Sequence, residues 1–290
     1  MNKTFQDKIE YAVFQLLLNG FSFLPYNTTR KITESLALFV GDTLGVRKKV
    51  AMYQLRTILT DKSEAEIRQI FRQMWRKYGT FIAETYFGDN TELLSRCTLI
   101  GGEYAEEALS RGKGFIFSSA HLGNFELASR FLASQFPVAA VVINQRNPYF
   151  NEYIVRFCKQ HNMVVIFKKR ALKGIIEHLR KNYCVILQHD QHAGKRNGIK
   201  TTFMGHTAWT AAGPARISQK IGCPVLPGCI VRTPENRHNL ILTKPIEPST
   251  YTKDNEGLLS MTQDITDRLA EEFILKYPDQ WFWVHRRWRD

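Results

Sequence analysis

From about residue 112 onward, short apolar runs alternate with stretches of helical periodicity, and this alternation restricts the fold more than any other feature of the chain. Segments 115–117, 138–143, 163–167, 184–187, 225–231 and 240–243 read as strands. Between them, helical patterns fall near 124–134, 149–161, 171–181 and 209–221, and a last helix covers roughly 256–275. Such alternation predicts an α/β fold: a mixed, mostly parallel central sheet flanked by helices. The first 90 residues carry no strand-like alternation and read as helices over 32–44, 47–59 and 63–87. The third of these opens with a capping-box pattern, Ser63-x-x-Glu66. The expected organisation is a helical subregion over 1–90 and an α/β core over 91–290. With no internal repeat and no Pro/Gly/Ser linker, the two form one structural domain.

A polar start gives way to an apolar run from Tyr11 to Leu24, interrupted by Gln15, Asn19 and Gly20. It falls short of the roughly 20 apolar residues that span a bilayer. It also lacks the small-residue cleavage site of a secretory signal. Two readings stay open for a helix over about 5–24: packing on the protein's own core, or lying in a membrane interface with Phe14, Leu16, Leu17, Leu18, Phe21, Phe23 and Leu24 in lipid. Pro25 ends it in either case.

The chain has 290 residues, and its 40 Lys+Arg against 27 Asp+Glu give a net charge of +13. The surplus is concentrated in the middle: residues 146–200 hold 12 Lys/Arg against 3 Asp/Glu, a net +9 in 55 residues. A polyanionic partner is expected, but not through a disordered basic tail. A hydrophobic share of 44% is enough for a sizeable core and excludes a disordered chain. Five scattered cysteines (97, 158, 184, 223, 229) make neither a disulfide framework nor a zinc site, and fit thiols in a reducing compartment.

Four segments carry candidate chemistry. In the first, Gly114-Phe115-Ile116-Phe117-Ser118-Ser119-Ala120-His121-Leu122-Gly123-Asn124-Phe125-Glu126, a strand leads through small residues to a histidine and a helix start. Ligands in α/β folds sit at the carboxyl ends of strands. On one continuous helix, His121 and Glu126 would point about 140° apart. With His121 ahead of the helix, the loop can fold back and let Glu126 reach an imidazole nitrogen, fixing the tautomer of a general base. In the second segment, a strand ends in Gln188-His189-Asp190-Gln191-His192. The spacing there lacks His-x3-His, so a solvated loop is favoured over a metal site. The third, Cys223-Pro224-Val225-Leu226-Pro227, reads as an edge or strand-entry turn. The fourth, 277–289, interleaves Trp281, Trp283 and Trp288 with Arg286, Arg287 and Arg289. It fits nucleic-acid stacking, an interfacial anchor, or a tail packed onto the domain.

Taken in order, these segments resemble the lipid A biosynthesis acyltransferases, the late acyltransferases of Gram-negative outer-membrane assembly, within the wider glycerolipid acyltransferase group. The likeness runs from about residue 30 to the end. It rests on His121-Leu-Gly-Asn-Phe-Glu126, on Asp190-Gln191, on Pro224-Val-x-Pro227 with Arg232 after it, and on the closing Pro278-x-Gln-Trp-x-Trp-x-His-Arg-Arg-Trp288. Two positions depart from the family pattern. Asn144-Gln145-Arg146 stands where Tyr-Arg-Pro is frequent before Asn-Pro, and Gln54-Leu55 stands for an early Asn-Leu.

The resemblance implies a glycerolipid acyltransferase-like fold and an acyl-acyl-carrier-protein-dependent O-acyltransferase acting on a lipid A precursor of the Kdo-lipid IVA type. His121 is then the general base, Glu126 its orienting carboxylate and Arg156 the candidate oxyanion donor, with backbone amides at the Asn124 helix start. Asp190 takes a structural role, such as pairing with an Arg. Asn124, Arg146, Gln191, Lys195, Arg196 and Arg232 are substrate-binding or structural. No metal and no cofactor is expected beyond the acyl carrier protein as donor. The expected partners are that carrier, the lipid precursor and the cytoplasmic face of the bacterial inner membrane, and not nucleic acid. Rival readings are an acyltransferase for a lysophospholipid, glycolipid or aminolipid, a non-catalytic lipid-binding protein, and a nucleic-acid-binding protein. The central position of the charge weakens the last of these.

Overall fold

The computed structural model describes residues 3–169 and 171–289. In chain order the strands are β1 (Cys97–Ile100), β2 (Phe115–Ser119), β3 (Val138–Val142), β4 (Met163–Phe167), β5 (Cys184–Gln188), β6 (Gly198–Phe203), β7 (His206–Ala211), β8 (Val225–Arg232) and β9 (His238–Leu242). Seven form one sheet in the order β1-β9-β8-β2-β5-β3-β4. The strands from β8 to β4 run parallel. At the other edge β9 is antiparallel to β8, and β1 is parallel to β9. The mixed, mostly parallel α/β sheet is therefore the fold. Strands β6 and β7 make a separate antiparallel hairpin.

The helices are α1 (Lys3–Ser22), α2 (Tyr26–Leu38), α3 (Lys48–Ile58), α4 (Glu64–Phe87), α5 (Asn90–Ser95), α6 (Gly102–Ser110), α7 (Phe125–Gln135), α8 (Pro148–Gln160), α9 (Ala171–Arg180), α10 (Gly213–Ile221) and α11 (Asn255–Leu269). Alternation along the strands sends side chains to two layers. Phe115 and Phe117 pack with Leu127 and Leu132 of α7 and Ala105 and Ala108 of α6. Ile116 and Val185 face the opposite layer with Leu179 of α9, Ala215 of α10 and Ile265 of α11. The capping box at α4 forms in both directions: Glu66 N–H donates to Ser63 Oγ, and Ser63 N–H to Glu66 Oε2. Gly79 lets α4 approach α2 closely, because a Cβ there would lie 2.5 Å from the Glu34 backbone.

Three features depart from the sequence reading. The helix expected over 209–221 begins only at Gly213, because Thr207 to Ala211 pair with β6. Strand β1 and helices α5 and α6 occupy a stretch with no strong periodicity. Helix α2 begins at Tyr26, right after Pro25, and runs into a π-helical turn at Phe39–Thr43.

The N-terminal helix has two faces. Tyr11 and Phe14 pack against Tyr149, Phe150 and Tyr153, and Phe21 against Phe87. Phe14 and Phe21 thus face the protein, not lipid. Leu16, Leu17 and Phe23 lie on the outer side, and Leu16 and Phe23 are 72% and 86% exposed. No described helix is long and apolar enough to cross a membrane. The C-terminal block, by contrast, is tucked inward: Trp281, Trp283 and Arg287 are fully buried. Gln54 of α3 ties it down, donating to the Trp283 and His285 carbonyls and accepting from Arg287 N–H.

Candidate active site

Parallel strands deliver their following loops to the same edge of a sheet, and here that rule brings two distant segments together. Ser119 of β2 is in register with Gln188 of β5. Two residues beyond each stand His121 and Asp190. Asp190 Oδ1 lies 2.8 Å from His121 Nδ1, and Asp190 Oδ2 accepts from the His121 backbone N–H at 3.0 Å. Trp281 Nε1 donates to Asp190 Oδ2 at 2.7 Å. Burial alone would raise the Asp190 pKa. The His121 charge and the hydrogen bonds from His121 and Trp281 outweigh it and hold the carboxyl well below the usual carboxylate range. An ionised carboxylate can only accept, so Nδ1 carries the proton and Nε2 is left as the basic atom. Burial pulls the His121 pKa down, but Asp190 more than compensates, and the net shift is upward.

The turn between β2 and α7 is braced on every side. Gly123 takes φ +61°, and a Cβ there would meet the Ile230 carbonyl at 2.1 Å, so only glycine fits. Gly123 N–H donates to the Gln280 carbonyl, and Phe282 N–H to the His121 carbonyl. The closing sequence block therefore forms the back wall of the histidine turn. Asn124 caps α7 by accepting from Leu127 N–H at 2.9 Å, and its amide donates to Glu84 Oε2 at 2.8 Å.

His121 opens onto a cleft lined by Met74, Lys77, Tyr78, Phe81, Phe125, Arg232 and Phe282. Aromatic pairs narrow it: Tyr78 stacks on Phe282 at 4.7 Å, Phe81 on Phe125 at 4.9 Å, and Phe125 meets the His121 ring edge-on at 5.1 Å. The open space is about 30 Å³, room for about one water.

The residues singled out from sequence do not all converge. His121, Asn124 and Arg232 line the cleft, Asp190 is buried behind His121, and Gln191 Nε2 lies 3.4 Å from His121 Nε2. Glu126 makes no hydrogen bond or ion pair with His121 among the described residues. It lies within the first turn of α7, where its charge acts on Tyr86, Tyr153, Cys158 and Arg130. The carboxylate on the imidazole is Asp190, which corrects both the orienting role expected of Glu126 and the Arg partner expected for Asp190. The capped helix start turns Glu126 away while β5 presents Asp190. Arg156 donates to the Tyr11 hydroxyl at 2.8 Å, and Arg146 pairs with Glu10 at 3.3 Å, so both hold α1 rather than the cleft. Lys195 and Arg196 are exposed in the loop after β5.

The rest of the second segment is structural. His189 is buried, hydrogen-bonded to Thr266 Oγ1, and its pKa is pushed down to about 4 by burial and then by the Arg287 charge. No group of three His, Cys, Asp or Glu side chains among the described residues is placed to hold a metal ion. Cys158, Cys184, Cys223 and Cys229 are buried thiols with raised pKa values, poor nucleophiles at neutral pH. Sequence reasoning missed Glu84, Trp281 and Gln54 as parts of this framework.

The sequence model of the bacterial lipid A biosynthesis acyltransferases matches residues 4–290. The chain belongs to that family. Its relatives include a lipid A biosynthesis lauroyltransferase of Escherichia coli, 22% identical over 92% of this chain and 87% of that protein. A palmitoleoyltransferase of the same pathway and organism is 21% identical over 92% of this chain and 86% of its own length. A phosphatidylinositol mannoside acyltransferase of Mycobacterium tuberculosis is 24% identical over 66% of this chain and 60% of that protein. Members of this set differ in the lipid they are named for and share acyl transfer. The protein is an acyltransferase.

Proposed function

We propose that this acyltransferase moves a fatty acyl chain from an acyl-acyl carrier protein to a hydroxyl of a lipid A precursor of the Kdo-lipid IVA type, with His121 as general base. The observation that carries the mechanism is the His121–Asp190 pair: Nδ1 is held at 2.8 Å, Nε2 is left as the basic atom beside the Gln191 amide at 3.4 Å, and the histidine lines an aromatic cleft. Nε2 removes the proton of the acceptor hydroxyl, and the alkoxide oxygen bonds to the thioester carbonyl carbon. The tetrahedral oxyanion collapses, the carbon–sulfur bond breaks, and the leaving thiolate takes the proton from the imidazolium. Asp190 stays ionised and stabilises that imidazolium. General-base assistance of this kind is worth about 10²–10⁴-fold. The first amides of α7, which have no intrahelical acceptor, and the cationic Arg232 and Lys77 of the cleft are the oxyanion donors this reading favours over Arg156.

Two surfaces support the partners. A groove of about 690 Å³ between α3 and α4 is lined by Lys48, Lys49, Arg56, Arg68 and Arg72 together with Asp42. Asp42 and Glu64 pair with four of these cations, and the remaining positive excess suits an acidic carrier protein. The exposed apolar residues of α1 suit peripheral attachment to the cytoplasmic face of the inner membrane. The mycobacterial relative favours a second reading, a glycolipid acceptor other than a lipid A precursor.

The test is acyl transfer by purified protein from acyl-acyl carrier protein to a tetraacylated, Kdo-bearing precursor. The proposal expects transfer by wild type and none by His121→Ala. Activity retained in His121→Ala contradicts the mechanism, and transfer only to other glycolipids or phospholipids contradicts the acceptor.

A further inference from the structure

We infer that Glu84, a buried carboxylate of α4, is a positioning residue of this active site: it fixes the helix cap behind the histidine turn and the arginine on the cleft wall through one side chain. The inference rests on the reading of His121 as the base. Glu84 is 2% exposed. Its Oε2 accepts from Asn124 Nδ2 at 2.8 Å and from Arg232 Nη2 at 2.5 Å, and its Oε1 from His238 Nε2 at 3.2 Å.

Each partner belongs to a different element, and each leads back to the site. Asn124 ends the His121 turn and caps α7. Arg232 lines the cleft beside His121, and its backbone is locked to Gln280 by two reciprocal hydrogen bonds of 2.9 Å. Gln280 in turn accepts from Gly123 N–H within the turn. Phe81, three residues before Glu84 on the same helix, stacks on Phe125. One helix thus grips the start of α7 at two points, the Phe81–Phe125 stack and the hydrogen bond from Asn124 to the Glu84 carboxylate.

A buried carboxylate, here in the last turn of α4, is costly unless fully paired. Burial would raise the Glu84 pKa, but His238 and Arg232 reverse that and bring it down to about 2. The carboxylate is therefore ionised at every working pH, and the proposed transfer of protons does not use it. Its three donors explain its presence through geometry. An amide at this position has a single acceptor oxygen, so at least one donor among Asn124, Arg232 and His238 loses its partner.

Glu84→Gln tests the inference with two readouts that overall folding does not move. Amide hydrogen exchange of residues 125–128 should rise about tenfold, with that of α9 unchanged, and kcat should fall at least tenfold with KM within threefold. The acid limb of the pH profile should stay in place, because His121–Asp190 is untouched. Asn124→Ser retains a cap acceptor but drops the amide that reaches Glu84, so it should reproduce both effects, and it carries the test if Glu84→Gln does not fold. Unchanged exchange or unchanged kcat in a folded variant overturns the inference. His121→Ala run in parallel reads the base separately: its retained activity would sink the base assignment, whereas the exchange result still reports on Glu84.

Discussion

Asp190 and Glu126 stand on two sides of one histidine turn and meet opposite electrostatic conditions. Asp190, beyond the end of β5, receives the imidazole, a backbone amide and an indole, and its pKa is driven down. Glu126, in the first turn of α7, has no hydrogen bond or ion pair among the described residues, and burial drives its pKa up, only partly offset by the Arg130 charge. Asp190 is fully buried and Glu126 partly so; what separates them is chiefly the number of donors provided. Charge stabilisation of His121 therefore belongs to the carboxylate that is distant in sequence, and proximity along the chain is a poor guide to it.

That contrast can be broken by substitution. The largest expected effect is that of Asp190→Asn, which removes the charge and presents an amide to Nδ1. A fall in kcat of about 10²–10⁴-fold is expected, measured in the acyl-transfer assay. Trp281→Phe removes one hydrogen bond to the same charged oxygen. Such bonds contribute about 1.5–3 kcal/mol, and a loss of roughly tenfold in kcat is expected, with a smaller stabilisation of the ionised carboxylate.

Stability should separate the two carboxyls by sign. The folded pKa of Asp190 is depressed, so its stabilisation is present above its unfolded value of 3.8 and is lost as pH falls toward the folded value. The folded pKa of Glu126 is raised, so its contribution is present below the unfolded 4.5 and is lost as pH rises through the folded value. Thermal unfolding of Glu126→Gln at pH 8 should accordingly occur at the wild-type Tm or above it, whereas Asp190→Asn should lower Tm. A drop in Tm for Glu126→Gln would mean that its carboxylate has a partner. The smallest effect is expected for Arg156→Ala. Its exposed contact with Tyr11 is worth within about 0.5 kcal/mol, so kcat should change less than tenfold while α1 becomes easier to cleave by limited proteolysis.

Much of the sheet could be read from the chain because its central strands are buried on both faces and form short, unbroken apolar runs, as at Phe115-Ile116-Phe117. Edge strand β1 (Cys97–Ile100) and the hairpin β6–β7 are short and show neither an apolar run nor a clean polar-apolar alternation, and their pairing is decided by tertiary contacts. His121 stood out through the sequence block that carries the family resemblance, since position at a strand's carboxyl end does not decide it: His189, directly past β5, is a buried structural histidine. The role of Asp190 was not legible, since it depends on β5 lying next to β2, a matter of strand order that local sequence does not encode. The two aromatic termini illustrate the same limit. Composition left both an interfacial and a packed reading open for each, yet Gln54 and the Arg287 contacts with Trp209 and Thr210 draw the C-terminal block inside, while the outer face of α1 stays uncovered.

The most direct test of the His121–Asp190 pairing is the pH dependence of kcat/KM in wild type, Asp190→Asn and Glu126→Gln. The acid limb reports protonation of the free enzyme's base. Asp190 raises the His121 pKa, so removing its charge should move that limb to lower pH, while Glu126→Gln should leave it where wild type has it. A limb that shifts in Glu126→Gln and stays put in Asp190→Asn would contradict the account.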